Sequence, residues 1–140
     1  PDADVTKVAA ATAEAAQRSV PFAMRIETCG CFPPRGAVRI VWAGVHEQSG
    51  SLERCVTTVE DALEGIGFPK DAKPFSPHIT IGRVGEDRSA GRIRSAVESF
   101  SLRPVEQPVQ FITLMSSVLS PRGPTYTAVS RVNLGESKII

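Results

Sequence analysis

The chain is 140 residues long, 41% hydrophobic and 22% charged, with 16 Lys and Arg against 15 Asp and Glu. That is enough apolar material for one compact unit or two tightly packed halves, and it excludes compositional disorder. A formal charge of +1 excludes binding to nucleic acid through a broad basic surface, so an anionic partner has to be gripped locally.

No apolar run is long enough to cross a bilayer, and the first residues lack the basic-then-apolar pattern of a secretory signal. The expectation is a protein without a membrane anchor, located in the cytoplasm. Cys29, Cys31 and Cys55 are odd in number and lack paired metal-ligand spacing, and no histidine lies near enough in sequence to complete a site. They read as structural or incidental thiols, and no metal or other cofactor is expected.

Taken in chain order, Asp2 to Ser19 places Val5, Val8, Ala9, Thr12 and Ala16 at helical spacing, with Asp2 or Asp4 available as a cap. Phe22, Met24 and Ile26 then alternate as in a strand reaching about Thr28, before the proline-rich "CFPPRG" interrupts. In "AVRIVWAGV", Val38, Ile40 and Trp42 share one strand face and Arg39, Val41 and Ala43 the other, which suggests an interior strand. His46 follows in the polar "HEQSG" and reads as a solvated loop residue. Leu52, Cys55, Val56, Val59, Leu63 and Ile66 keep helical spacing until Gly65 and Gly67 end the helix.

The loop "FPKDAKPFSP" leads to a strand at His78–Val84, after which Ser89 caps a third helix with Ile93, Ala96, Val97 and Phe100 as its apolar positions. Two strands close the chain, near Val109–Leu119 and Thr125–Leu134, joined by the turn cluster "SPRGP" as a hairpin. Strands interleaved with helices give an α+β fold.

The chemistry concentrates in "SPHITIGR". Strand alternation puts Ile79 and Ile81 toward the core and leaves His78 and Thr80 side by side on the opposite face. An imidazole exchanges protons near neutral pH and a hydroxyl donates to a phosphoryl oxygen, so a rigid His-x-Thr pair suits phosphoryl chemistry. By itself the pair is better explained as a surface or satisfied histidine on a half-buried strand.

The wider context is more specific. "FSPHITIGRV", followed about 30 residues later by "ITLMSSVLSPRGPTYTAV", resembles the carboxy-terminal half of the 2H phosphoesterases, in particular the RNA 2',3'-cyclic phosphodiesterases also called 2'-5' RNA ligases. The resemblance extends upstream through "FAMRIETCGCFPPRGAVRIVWAGV" and "LEGIGFP", nearly the whole chain. It implies an α+β fold of two pseudo-symmetric lobes with mainly antiparallel sheets flanked by helices. Residues 1–140 would be a single such domain lacking its N-terminal strand-helix-strand. Family members carry two His-x-Thr motifs facing each other across a cleft; only the second is here, as His78 and Thr80.

The implied activity is hydrolysis of RNA 2',3'-cyclic phosphate ends to 2'-phosphates, or action on 2'-5' phosphodiester linkages. His78 would be acid or base, and Thr80 would steady the phosphate oxygens. The partners would be RNA ends or small cyclic nucleotides, the protein a monomer, and this chain alone inactive or severely impaired. Arg83 follows the motif as it commonly does in the family, but strand alternation sets it opposite His78 unless the strand bulges, and a structural salt bridge is an equal reading. Phe75 and Tyr126 match family positions near the cleft, where an aromatic either stacks on a base or packs in the core, core packing being the stronger reading. Arg122 offers a local cation or is a solvated turn residue. The rival to an enzyme is a non-catalytic nucleotide or RNA-end binding module that retains half a phosphate site.

Overall fold

In the computed structural model, which describes residues 2–135, the elements run α1 (Asp2–Gln17), β1 (Phe22–Phe32), β2 (Ile40–His46), α2 (Ser51–Glu64), β3 (His78–Arg83), α3 (Arg92–Ser99), β4 (Val105–Val109), β5 (Phe111–Ser120) and β6 (Gly123–Asn133). This is the α+β class expected. What would precede α1 lies outside the described residues, as does the side chain of Asp2; Asp4 lies within the helix. Among the described residues no helix is long and apolar enough to cross a membrane.

The chain divides into two compact units. The first comprises the described residues of 1–22, 49–74 and 108–140. Its helix α1 is alanine-rich for a packing reason: Ala11, Ala15 and Ala16 are buried, and such small side chains let neighbouring elements approach closely. Buried polar groups on this helix and just beyond its end are satisfied locally, Thr12 Oγ1 donating to the Val8 carbonyl at 2.7 Å and Ser19 Oγ to that of Ala15 at 2.9 Å. Ala16, Cys55 of α2 and Leu134 form the core, with Phe22, Val109, Ile112 and Val132 packed against them. Leu134 is only 2% exposed, and the next residue ties down the strand end, Gly135 N–H donating to the Ala16 carbonyl at 2.9 Å.

Helix α2 ends as its glycines indicate. Gly67 takes φ +103, its N–H bonds the Glu64 carbonyl, and the Phe68 N–H bonds the Leu63 carbonyl, the 5→2 and 6→1 pair of a Schellman motif. The hairpin is also as expected, β5 pairing antiparallel with β6 and Gly123 at φ +106 closing its turn. Val105–Val109 forms a separate strand, because Gln110 breaks the run that sequence pattern alone starts near Val109.

The second unit, residues 23–48 and 75–107, holds the antiparallel ladders β1·β2 and β2·β3, within a sheet of order β3-β2-β1-β4. Strand β1 continues to Phe32 instead of stopping near Thr28, since Cys31 and Phe32 still pair with Val41 and Ile40. Strand β2 begins at Ile40; Val38, 1% exposed, precedes it. The loop beyond β3 is fixed by Asp87, whose carboxylate accepts from Val38 N–H at 2.7 Å and from the N–H and Oγ–H of Ser89 at 2.9 and 2.6 Å. Ser89 is not the cap expected of it: the helix starts at Arg92 after Gly91, a left-handed N-cap with no side-chain cap bond. Ser89, two residues earlier, only reaches in from the preceding turn, its Oγ accepting from Ile93 N–H at 3.1 Å. Arg94 clamps the proline-rich loop by donating to the Pro33 and Gly36 carbonyls, each at 2.9 Å.

Candidate active site

The central strand β2 sorts the second unit's side chains into two faces. Ala43 and Val45 are buried on one, together with Cys31, whose burial pushes its thiol pKa up. Directly opposed residues of an antiparallel pair share a face. Pairing therefore gathers Phe32 and Ile40, Gly30 and Trp42, Thr80 and Trp42, and His78 and Gly44 on the other face.

On this second face His78 and Thr80 stand side by side, both exposed, as strand alternation predicts. The imidazole is oriented from two sides. Nδ1 lies 2.7 Å from the Ser76 carbonyl oxygen, and because a carbonyl only accepts, Nδ1 carries the proton and donates. The Phe32 ring meets the imidazole edge-on with centroids 5.1 Å apart, and Phe32 rests in turn against Trp42 at 5.4 Å. Trp42 reaches this position by lying over Gly30, where a Cβ would collide with its ring.

The isoleucines do not anchor the strand as expected. Ile79 is 41% and Ile81 60% exposed, because β3 is the edge of its sheet. Ile81 has a different role. Trp42 pairs with Thr80 while the adjacent Val41 pairs with Gly82, so Ile81 is an extra residue, a β-bulge. Alternation is reset, Ile40 pairs with Arg83, and Arg83 comes onto the face of His78 and Thr80 instead of the opposite one. Among the described residues Arg83 makes no ion pair, so the structural salt bridge is not what holds it.

His46 is not a loop residue: it ends β2 on the same face as Trp42 and Gly44. A second bulge, in β1, brings it a partner, since Ile26 pairs with Val45 but Cys29 with Ala43. Thr28 in this bulge has φ +66, a strained setting for a β-branched residue, and its Oγ1 is 3.4 Å from His46 Nε2. Gly44 makes room for the meeting: a Cβ there would lie 2.5 Å from Thr28 Oγ1 and 3.2 Å from His46 Nε2. No local sequence signal announces this pair; it depends on strand register.

Phe75 lies in the loop ahead of His78 and is 47% exposed. Tyr126 and Arg122 belong to the other compact unit, on the β5–β6 hairpin. Tyr126 is 62% exposed, and the Arg122 N–H donates to Ser120 Oγ at 3.2 Å. Core packing thus accounts for neither aromatic. Among the described residues no three His, Cys, Asp or Glu side chains are grouped so as to hold a metal ion.

Residues 1–119 match the family described as the 2'-5' RNA ligase superfamily. The RNA 2',3'-cyclic phosphodiesterase of Archaeoglobus fulgidus is 37% identical over 107 residues, 76% of this chain and 58% of that protein. The protein of the same name in Thermus thermophilus is 36% identical over 124 residues, 85% of this chain and 59% of its own. The chain therefore spans just under three fifths of either relative. Among solved structures, a protein of Thermus thermophilus superposes with a TM-score of 0.72 at 28% identity, covering 97% of this chain and 73% of that one. E. coli LigT complexed with 3'-AMP gives 0.64 at 21% identity, over 93% and 70%, and so shares the fold.

Proposed function

The chain belongs to the 2'-5' RNA ligase superfamily, and on that premise we propose that it contributes half of a phosphodiesterase site acting on RNA ends with a 2',3'-cyclic phosphate or on 2'-5' linkages. The observation that carries this reading is the orientation of His78, whose Nδ1–H is committed to Ser76 while Thr80 stands beside it on an exposed face. With Nδ1 occupied, Nε2 is the working nitrogen. Neutral, it accepts a proton from attacking water; charged, it gives one to the departing ribose oxygen. The role of His78 is thus acid or base at one atom.

In hydrolysis of the cyclic ester the water oxygen bonds to phosphorus and the P–O3' bond breaks, leaving a 2'-phosphate and a 3'-hydroxyl. Thr80 Oγ1–H and the Arg83 guanidinium donate to the non-bridging oxygens as charge builds on them. Phe75, in the loop ahead of His78, is proposed to stack on the nucleotide, its exposure leaving the ring free. Tyr126 and Arg122 are exposed on the hairpin of the other unit, where they offer a ring and a cation of their own. Two proton transfers need two groups, and residues 1–140 contain one His-x-Thr. Turnover by these residues alone is therefore expected to fall short of that by a protein carrying both motifs by on the order of 10²–10⁴.

The test is hydrolysis of an oligoribonucleotide ending in a 2',3'-cyclic phosphate, compared between residues 1–140 and the same chain with a first motif supplied. Full turnover by the short chain, or unchanged turnover in His78→Ala of the longer one, would sink the proposal. The single motif also favours a second reading, a binding module without turnover. Its signature would be cyclic-nucleotide affinity that falls in His78→Ala and Thr80→Ala, with no product from either protein.

A further inference from the structure

His46 and Thr28 repeat, across two strands, the chemistry that His78 and Thr80 present along one. His46 sits two residues beyond Gly44, which pairs directly with His78, so the two histidines are diagonal neighbours on one sheet face. Diagonal positions are about 7–8 Å apart, within bridging reach of one extended ligand. Three independent features hold the second pair in place. A bulge aims Thr28, its backbone accepts a positive φ that a β-branched residue disfavours, and a glycine vacates the space where Oγ1 and Nε2 approach each other. Strain and bulges of this kind gather where a side chain has to be aimed. Arg25, paired directly with His46, adds a guanidinium to the same end of the face, with Glu27 3.4 Å from it.

We propose that His46, Thr28 and Arg25 form a subsite for the phosphodiester one nucleotide inside the RNA end whose terminal phosphate lies at His78 and Thr80. The inference rests on the function proposed above and extends it from the end group to the strand that carries it. An imidazole, a hydroxyl and a guanidinium all donate to phosphate oxygens, and the polar strip they continue runs from the bulge at Ile81 past Gly44. A cyclic mononucleotide has no phosphate to place there; an oligoribonucleotide does. The subsite therefore distinguishes an RNA end from a free nucleotide.

The experiment is titration of the chain with a 2',3'-cyclic mononucleotide and with a short oligoribonucleotide bearing the same end. His46→Ala is expected to weaken the oligonucleotide about tenfold, the loss of one hydrogen bond to a charged phosphate, and to leave the mononucleotide within about twofold. Glu27→Gln is expected to tighten the oligonucleotide alone, since the carboxylate competes for Arg25. His78→Ala should weaken both ligands. If His46→Ala leaves the oligonucleotide unchanged, or weakens both ligands equally, the subsite is wrong while the His78 site stands. If His78→Ala affects neither ligand, the site reading fails and the subsite with it.

Discussion

The imidazole of His78 is locked to its own strand entrance, Nδ1–H donating to the Ser76 carbonyl oxygen two residues back at 2.7 Å. A carbonyl acceptor selects the tautomer, so the neutral side chain carries its proton on Nδ1 and offers a bare Nε2. Long-range nitrogen–proton NMR of the chain should report a protonated Nδ1 and an unprotonated Nε2 for His78. A predominant Nε2–H form would show that the Ser76 bond does not orient the ring.

Arg83 comes to the candidate site because Ile81 bulges. Without the extra residue the guanidinium would sit on the other face of β3, away from Thr80. Arg83→Ala should therefore weaken cyclic-nucleotide binding by about tenfold, the contribution of a charge-assisted pair. The melting temperature should hardly move, because Arg83 has no ion-pair partner among the described residues. A large stability loss with unchanged affinity would return Arg83 to a structural role.

The contrast between His78 and Arg83 shows what is legible in the residues. Period-two alternation places His78 beside Thr80 correctly, and helical spacing with two glycines locates α2 and its end. Neither rule sees a bulge, which is a property of two strands paired together. Alternation alone consequently sets Arg83 on the wrong face, and composition alone leaves His46 in a loop. The isoleucines mislead for a related reason: Ile79 and Ile81 look like core residues, but burial depends on what covers a strand, and β3 is an edge. Ser89 is misplaced by two residues as a cap because the left-handed Gly91, and not the serine, begins the helix, although the serine hydroxyl still meets Ile93 N–H.

Gly30 matters for what lies on it. The chain's single tryptophan crosses this residue, and a Cβ would overlap atoms of the Trp42 ring. A rigid indole wedged beside Phe32 has no easy retreat. Gly30→Ala should cost about 1–3 kcal/mol of stability, the usual range for overpacking. Tryptophan fluorescence should shift at the same time, and because Phe32 touches His78, cyclic-nucleotide affinity should also fall. Unchanged fluorescence and melting temperature would mean that Trp42 is not packed over Gly30.

Asp87 makes the second unit acid-sensitive. Its carboxylate accepts bonds from the Ser89 hydroxyl, the Val38 N–H and the Ser89 N–H, and these hold its pKa below the ordinary value of 3.8. A carboxyl that binds its proton less readily when folded stabilises the fold fully above the unfolded value. That stabilisation drains away as pH falls through the lowered folded value. Asp87→Asn loses the charge and one acceptor at every pH. The gap in melting temperature between the natural chain and Asp87→Asn should therefore stay constant from neutral pH down to about pH 5, then narrow below about pH 4. Limited proteolysis should show the affected region, with cleavage around residues 85–91 appearing in Asp87→Asn at neutral pH and in the natural chain only in acid. A gap that widens on acidification would reverse the sign of the linkage and show that the carboxylate is not the form the fold prefers.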